Sequence, residues 1–166
     1  MNINNLLVGL DKVHIRYVLV GGFAVQLHGF QRATYDIDIA LAMYEDNLTS
    51  FIGLARQLSL APVMPVPLDA LKNAALIDQW HREKGMPAFA LRETAPGGLV
   101  IDVLVRPEVG FTQLAERAAK VMLQGYAVLI ASVADLITMK RAAARPKDQI
   151  DIIALEKIQR GENPNE

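Results

Sequence analysis

The sequence contains no cysteine. This absence excludes disulfide bonds, thiolate zinc sites and cysteine nucleophiles, and it fits a reducing compartment. No run comes near the roughly 18 consecutive apolar residues that span a bilayer. The first residues also lack the basic start of a secretory signal. We therefore expect a soluble, cytoplasmic protein with no membrane partner.

The sequence also lacks a charge imbalance, because 17 basic and 18 acidic side chains give a formal net charge of −1. Such a chain has no general attraction to nucleic acid, so any polyanion must be met by a local patch. Hydrophobic residues make up 52% of the 166 residues, which is typical of a folded protein. The length suits one core, and we predict a single domain over residues 1–160 with a frayed tail over 161–166.

Prolines and glycines divide the chain into strand-like and helix-like segments. Alternating or β-branched patterns predict strands over residues 17–20, 36–41, 88–92, 99–105, 120–123 and 127–130. Helical spacing or capping residues predict helices over residues 23–28, 45–60, 68–82, 111–118, 132–145 and 146–158. The sum is an α+β domain in which helices pack on a mixed sheet.

A glycine pair, Gly21-Gly22, stands between the first predicted strand and a short helix. Glycine lets the backbone approach a ligand closely, and the amides of a helix start suit a phosphate. The segment lacks the third glycine of a dinucleotide fingerprint and the Gly-Lys-Ser/Thr of a P-loop. A purely structural turn is the alternative interpretation.

Asp36 and Asp38 alternate with Ile37 and Ile39, so the two carboxylates should share one face of a strand. At about 4.5 Å and an effective dielectric near 20, two such charges repel by roughly 3–4 kcal/mol. A divalent cation would offset this repulsion, and oxygen ligands without Cys or His favour Mg²⁺ or Mn²⁺. The alternative is a strand end whose two acids face solvent.

Asp102 is a lone acid among six apolar residues in a predicted central strand, Leu99–Val105. A carboxylate in such a place needs a charged partner, hydrogen bonds or a metal. If its strand adjoins that of Asp36 and Asp38, the three acids can hold the ions of a phosphoryl or nucleotidyl transfer. An ion pair with an arginine, Arg32, Arg92 or Arg106, is the competing explanation.

Together, the glycine pair, the Asp36-Ile37-Asp38 motif and Asp102 resemble the nucleotidyltransferase superfamily, whose catalytic domain is like the palm of polymerase β. The segment GGFAVQLHGFQRATYDIDIAL is more closely similar to AbiEii/AbiGii toxin-type and minimal nucleotidyltransferases, and so is SVADLITMKRAAARPKDQIDIIAL. Phe23 departs from the pattern, because the wider superfamily often has a phosphate-binding serine there.

The resemblance implies a role for each matching residue. Asp36 and Asp38 would hold the metal ions and the nucleoside triphosphate, and Asp102 would complete the site and help to activate an acceptor hydroxyl. The backbone amides of Gly21, Gly22 and Phe23 would bind phosphate.

Lys140 belongs to a basic cluster near the carboxyl terminus that also contains Arg141, Arg145 and Lys147. This cluster could meet a triphosphate or an RNA backbone, or it could be an ordinary solvated helix face. Asp148 is a weaker candidate, because acids are common in the first turn of a helix.

Three residues between the glycine pair and Asp36 are further candidates. Arg32 and Thr34 could either contact nucleotide or fix the chain before Asp36. His28 is a weak candidate, since a lone histidine is more often a local hydrogen-bonding residue than a catalyst.

The sequence therefore predicts a metal-dependent enzyme that transfers NMP from an NTP to a hydroxyl acceptor. The resemblance implies a tRNA 3′ end, a protein side chain or an antibiotic as acceptor, and an antitoxin protein as a possible partner. A catalytically weak nucleotide-binding or partner-binding module of the same fold is the alternative, and Phe23 motivates it.

Overall fold

The computed structural model describes residues 2–166 and consists of one mixed sheet with helices packed on it. The strands are β1 (Tyr17–Val20), β2 (Asp36–Leu41), β3 (Leu60–Pro62), β4 (Ala88–Glu93), β5 (Val100–Leu104), β6 (Ala119–Leu123) and β7 (Tyr126–Ile130). The helices are α1 (Ile3–Lys12), α2 (Gly21–Leu27), α3 (Glu45–Gln57), α4 (Ala74–Lys84), α5 (Phe111–Arg117), α6 (Val133–Ala143) and α7 (Asp148–Gln159). The predicted α+β class is confirmed.

The seven strands lie in the order β3-β4-β5-β2-β1-β7-β6. β2 pairs in parallel with β5 and antiparallel with β1, and β1 pairs in parallel with β7 on its other side. Two antiparallel hairpins, β4–β5 and β6–β7, flank these strands as the turn-rich sequences predicted, and β3 pairs with β4 at the outer edge. The two strands that carry the candidate acids are therefore direct neighbours near the centre of the sheet.

Side-chain alternation divides β2 and β5 between two environments. Ile37 and Ile39 of β2, with Ile101 and Val103 of β5, are buried in the hydrophobic core. The acids between them must then point to the other face of the sheet, where they are only partly buried. Burial of the isoleucines and valine fixes the register, since a slip of one residue would drive the acids into the core.

The predicted helix over residues 45–60 is too long. α3 ends at Gln57, and Leu60–Pro62 forms β3, an edge strand that pairs with β4. Ser59 between them has a positive φ of 55°, which breaks the helix. Proline at the end of β3 suits an edge strand, because it has no N–H to donate to a ladder.

The predicted helix over residues 68–82 is two elements. Leu68–Lys72 is a 3-10 helix, and α4 begins at Ala74 after Asn73, whose side chain accepts a hydrogen bond from the Leu76 N–H. An asparagine side chain that bonds to the backbone favours the N-cap position over a helix interior. Asn73 therefore starts a new helix and divides the segment.

The helix α1 was not predicted from the sequence. Its three leucines, Leu6, Leu7 and Leu10, are fully buried in the core, and Asn2 caps its start.

At the other end of the chain, Asn165 donates a hydrogen bond to the Gly29 carbonyl oxygen and accepts one from the Gln31 N–H. No helix within residues 2–166 is long and apolar enough to cross a membrane.

Candidate active site

Asp36, Asp38 and Asp102 converge on one face of the sheet. Asp38 lies opposite Asp102 in the parallel β2–β5 ladder, and Asp36 precedes Asp38 by two residues on the same face. Carboxylate oxygens of all three residues lie within 4.8 Å of one another. The convergence predicted from the sequence is therefore present in the fold.

The protein leaves two of these carboxylates without partners. The Thr34 hydroxyl donates a 3.0 Å hydrogen bond to Asp36 Oδ1. Within residues 2–166, no residue donates a hydrogen bond to Asp38 or Asp102 or forms an ion pair with either. In particular, Arg32 pairs with Asp151 and Arg106 pairs with Asp78, so the arginine explanation for Asp102 does not hold for them.

Crowding of negative charge changes the acidity of the site. Burial, with the neighbouring charges of Asp36 and Asp102, raises the pKa of Asp38 to about 6. Burial and the charge of Asp36 also raise the pKa of Asp102. Both effects mean that the ionised forms are under-stabilised by the protein alone. A divalent cation would supply the missing positive charge, and three oxygen donors suit Mg²⁺ or Mn²⁺.

Gly21 makes the close approach of the first helix to this site possible. Its φ is +64°, and a Cβ at this position would overlap the Asp38 carboxylate. No other residue type fits both constraints. The backbone at the start of α2 therefore lies directly against Asp38, where the sequence predicted a phosphate-binding turn.

Gly22 provides a second close contact, with the loop that leads into β2. A Cβ on Gly22 would lie 3.0 Å from Thr34 Oγ1 and 3.1 Å from Arg32 Cζ. Arg32 and Thr34 therefore pack against the glycine pair, and Thr34 also orients Asp36. Both residues line the same cavity as the three acids.

Arg32 and Lys140 are held by one buried acid. Asp151, on the first turn of α7, forms ion pairs with the Arg32 guanidinium and with Lys140 Nζ, the latter at 2.6 Å. The side chains of Lys140 and Asp151 are 6% and 4% exposed. Lys140 is thus a buried, paired cation rather than part of a solvated helix face, whereas its neighbour Arg141 is exposed and pairs with Glu156.

Asp148 holds a second cation at the edge of the site. Its buried carboxylate accepts hydrogen bonds from Arg145 Nε at 2.8 Å and Nη2 at 3.1 Å, and Lys140 Nζ lies 3.4 Å away. Burial opposes ionisation of Asp148, but the Arg145 hydrogen bonds and the nearby positive charges outweigh it and lower the pKa. Asp148 is therefore an ionised anchor for the basic groups.

These groups surround a cavity of about 410 Å³, which we call the first cavity. Its lining contains the three converging acids, two further acids, Glu108 and Asp148, and five cationic side chains: Arg32, Arg106, Lys140, Arg145 and Lys147. Apolar surface from Leu104, Leu136 and Met139 completes the lining. The cavity can therefore hold a ligand that has both a multiply charged anionic part and an apolar part.

Two predicted site residues do not line the first cavity. The Phe23 side chain packs against the hydrophobic core, which leaves only its backbone near the start of α2. His28 donates from Nε2 to the Ala131 carbonyl oxygen at 2.8 Å and so ties the end of α2 to the end of β7. This contact is the local hydrogen-bonding role that is common for a lone histidine.

Asp151 is a residue of the site that sequence reasoning did not select. Its position in the first turn of α7 suggested only a favourable interaction with the helix dipole. The available signal was the Asp148-x-x-Asp151 spacing, which places two acids on one helix face opposite a basic segment.

The sequence matches no protein-family model, and no curated protein sequence is detectably similar to it. Solved structures do share the fold. The lincosamide antibiotic adenylyltransferase LnuA, bound to lincomycin, superposes with a TM-score of 0.60 over 94% of this chain and 95% of its own, at 16% identity.

Two further structures are similar. One is ANT(2″)-Ia in complex with adenylyl-2″-tobramycin, with a TM-score of 0.58, 13% identity and coverage of 96% of this chain and 87% of its own. The other is an antigenic nucleotidyltransferase-like protein from Paracoccidioides brasiliensis, with a TM-score of 0.53, 20% identity and coverage of 92% and 72%. The chain therefore has the nucleotidyltransferase fold.

Proposed function

We propose that the protein is a metal-dependent nucleotidyltransferase that moves NMP from an NTP to a hydroxyl acceptor. The observation that carries this proposal is the set of three converging acids, two of them without a protein partner, directly beside the Gly21 backbone. The fold that the chain shares with two antibiotic adenylyltransferases supports it.

Asp36, Asp38 and Asp102 would hold one or two divalent cations, which neutralise charge on the phosphates and on the reacting oxygens. The backbone amides of Gly21 and Gly22, beside Asp38 and Thr34, would bind the phosphates. Arg32, Lys140 and Arg145, fixed by Asp151 and Asp148, supply positive charge to the triphosphate from the walls of the cavity.

Transfer requires the acceptor oxygen to bond to the α-phosphorus while the bond from that phosphorus to the bridging oxygen breaks. Pyrophosphate leaves with that oxygen. Asp102, on the side of the site away from the glycine pair, would orient the acceptor hydroxyl and receive its proton. The protein's main contribution is position and charge rather than covalent chemistry.

The finer predictions from sequence rest on the resemblance to AbiEii/AbiGii toxin-type enzymes. These are toxicity, a tRNA, protein or small-molecule acceptor, and an antitoxin partner, and they stay predictions. A non-catalytic nucleotide-binding module is the second candidate, because Phe23 occupies a position where a phosphate-binding serine is frequent and its side chain packs against the core.

The proposal is tested by incubating the protein with α-³²P NTPs and Mg²⁺ in the presence of RNA, protein, lincomycin or tobramycin. The label that becomes attached to each acceptor is then measured. We expect label transfer and pyrophosphate release by the wild type and loss of at least a hundredfold in rate in Asp102→Asn. Glu116→Gln, which removes an exposed acid elsewhere, should keep full activity. Tight NTP binding with no transfer to any acceptor would favour the non-catalytic module.

A further inference from the structure

Residues 28–35 form the loop that joins α2 to β2 and carries Arg32 and Thr34 to the wall of the first cavity. Within residues 2–166, no backbone–backbone hydrogen bond involves residues 30–34. A connecting segment of this kind has no ladder or helix of its own to hold it in place. Its position must therefore be set by side chains, including those of other segments.

Asn165 supplies two hydrogen bonds to the backbone of this loop. Its Nδ2 donates to the Gly29 carbonyl oxygen at 3.0 Å, and its Oδ1 accepts from the Gln31 N–H at 2.7 Å. A primary amide carries a donor and an acceptor side by side, so it can pair with a backbone C=O and a backbone N–H at once. The two contacts flank Phe30, whose side chain packs against the hydrophobic core. Asn165 therefore fixes the loop backbone immediately before Arg32.

The chain after α7 is shaped so that Asn165 reaches the loop. Gly161 has a positive φ of 71°, and the N–H groups of Gly161 and Glu162 bond back to carbonyl oxygens in the last turn of α7. This pattern is a Schellman motif, which ends a helix and turns the chain away from its axis. Beyond the motif, Asn163 Oδ1 accepts a 3.1 Å hydrogen bond from the Asn165 N–H. Local structure thus directs Asn165 towards residues 29–31.

The position of the loop matters because Arg32 lies beside the glycine pair. A Cβ on Gly22 would come within 3.1 Å of Arg32 Cζ, and the Arg32 guanidinium pairs with Asp151. The Arg32 side chain is 25% exposed and lines the first cavity. A shift of the loop backbone would carry this cation away from a phosphate bound at the glycine pair.

We propose that Asn165 is a positioning residue of the NTP site, which holds the loop of residues 28–35 so that Arg32 stays beside the glycine pair and meets the triphosphate. This inference rests on the proposed function for the identity of the ligand. It adds a role for the chain beyond α7, which contributes no residue to the lining of the first cavity.

The ion pair with Asp151 is a weaker anchor for Arg32 once a ligand is bound. A bound phosphate competes with the Asp151 carboxylate for the same guanidinium, and Asp151 keeps Lys140 as its other partner. The Asn165 bonds reach the loop backbone and involve none of these charged groups. They therefore hold the loop equally well with and without the triphosphate.

Hydrogen exchange at the Gln31 amide, followed by NMR, tests the contact itself. In the wild type this amide should be protected, because it donates to Asn165. Asn165→Ala should raise its exchange rate at least fivefold, whereas Asn5→Ala, which removes an exposed asparagine on α1, should leave the rate unchanged. The same rate in the wild type and in Asn165→Ala would overturn the inference.

Tripolyphosphate with Mg²⁺ is the ligand probe, because it has the phosphate part of an NTP without a base. By calorimetry, Asn165→Ala should raise the Kd of this probe at least threefold, and Asn5→Ala should change it less than about 1.5-fold. The Kd of Mn²⁺ alone should change less than about twofold in Asn165→Ala, because the three acids lie on β2 and β5. An equal loss of both affinities would overturn a specific effect on the phosphate site.

A double-mutant cycle shows whether Asn165 acts through Arg32. In an Arg32→Gln background, Asn165→Ala should change the Kd of tripolyphosphate less than about 1.5-fold, because the cation that the loop positions is already absent. Arg32→Gln should remain folded, since Asp151 keeps its ion pair with Lys140. An undiminished effect of Asn165→Ala in this background would overturn the positioning role.

The outcomes separate this inference from the proposed function. If Asn165 protects the Gln31 amide but Asn165→Ala leaves the Kd of tripolyphosphate unchanged, the contact only stabilises the loop. The positioning role is then overturned and the nucleotidyl transfer stands. If the wild type binds no tripolyphosphate although the Gln31 amide is protected, the phosphate site of the proposed function is overturned, and the positioning role with it.

Discussion

Asp38 and Asp102 are direct neighbours across the parallel β2–β5 ladder, and neither carboxylate has a hydrogen-bond or ion-pair partner within residues 2–166. Two unpaired acids this close together destabilise the fold, and the nearby charges of Lys140, Arg145 and Lys147 offset that cost only in part.

The first prediction concerns the stability of the cation-free protein. Because the pKa of Asp38 is about 6 in the folded state against an ordinary 3.8, ionisation destabilises the fold as pH rises from about 4 to about 6, and the cost is fully present above that range. Asp38→Asn removes it, and at pH 7.5 in EDTA the free energy of unfolding should rise by up to about 3 kcal/mol. Urea unfolding at pH 7.5 measures the gain.

At pH 4 the same substitution should have little effect, because Asp38 is then protonated. Glu116→Gln, an exposed acid with no such neighbours, should be neutral at both pH values. If Asp38→Asn lowered the free energy of unfolding by the same amount at pH 4 and at pH 7.5, the acids would not repel one another in the folded protein.

The second prediction concerns the effect of pH on cation binding. Since a cation must displace the proton from Asp38, the apparent affinity for Mg²⁺ should fall about tenfold between pH 7 and pH 5. The rise in Tm on addition of Mg²⁺ should shrink accordingly. A rise in Tm that is the same at both pH values would point to a cation site elsewhere.

The third prediction concerns Gly21. An alanine here meets two obstacles, a positive φ and overlap with the Asp38 carboxylate. Gly85 has nearly the same φ, +60°, but nothing lies within 4 Å of its would-be Cβ, so Gly85→Ala isolates the backbone cost of about 1–2 kcal/mol.

Gly21→Ala should lose more stability than Gly85→Ala and should also lose the stabilisation by Mg²⁺ and NTP, which Gly85→Ala should keep. Thermal unfolding with and without Mg²⁺-NTP measures both effects. If the two alanine variants behaved alike, Gly21 would be only a turn residue.

The fourth prediction concerns Asp151, whose buried carboxylate holds Arg32 and Lys140. Asp151→Asn leaves a buried lysine without full compensation, and the cost should be about 3–5 kcal/mol. Glu156→Gln breaks the more exposed Arg141–Glu156 pair and should cost under about 1 kcal/mol. Denaturant unfolding compares the two variants. Similar losses in the free energy of unfolding would mean that the buried ion pairs stabilise the fold no more than the exposed pair does.

Much of the site could be predicted from the sequence because its acids stand out against their surroundings. Strict alternation around Asp36 and Asp38 showed their common face, and the apolar run around Asp102 showed that it needs a special environment. The sequence does not specify the pairing of β2 with β5, because no local pattern determines which strands become neighbours.

The missed features depend on contacts between distant segments. Lys140 was selected from the sequence, but its burial was not: α7 packs against α6 and encloses the Lys140 side chain between Asp148 and Asp151. The edge strand β3 is three residues long and takes its conformation from pairing with β4, which no pattern within residues 60–62 indicates. Tertiary packing decides both cases.

Calorimetric titration of Mn²⁺ at pH 7.5 into the wild type and into the Asp36→Asn/Asp38→Asn double variant tests the central claim most directly. We expect saturable binding to the wild type and at least a tenfold weaker affinity in the folded double variant. Equal affinity in the two proteins, or no binding to the wild type with or without NTP, would contradict a cation site at the three acids.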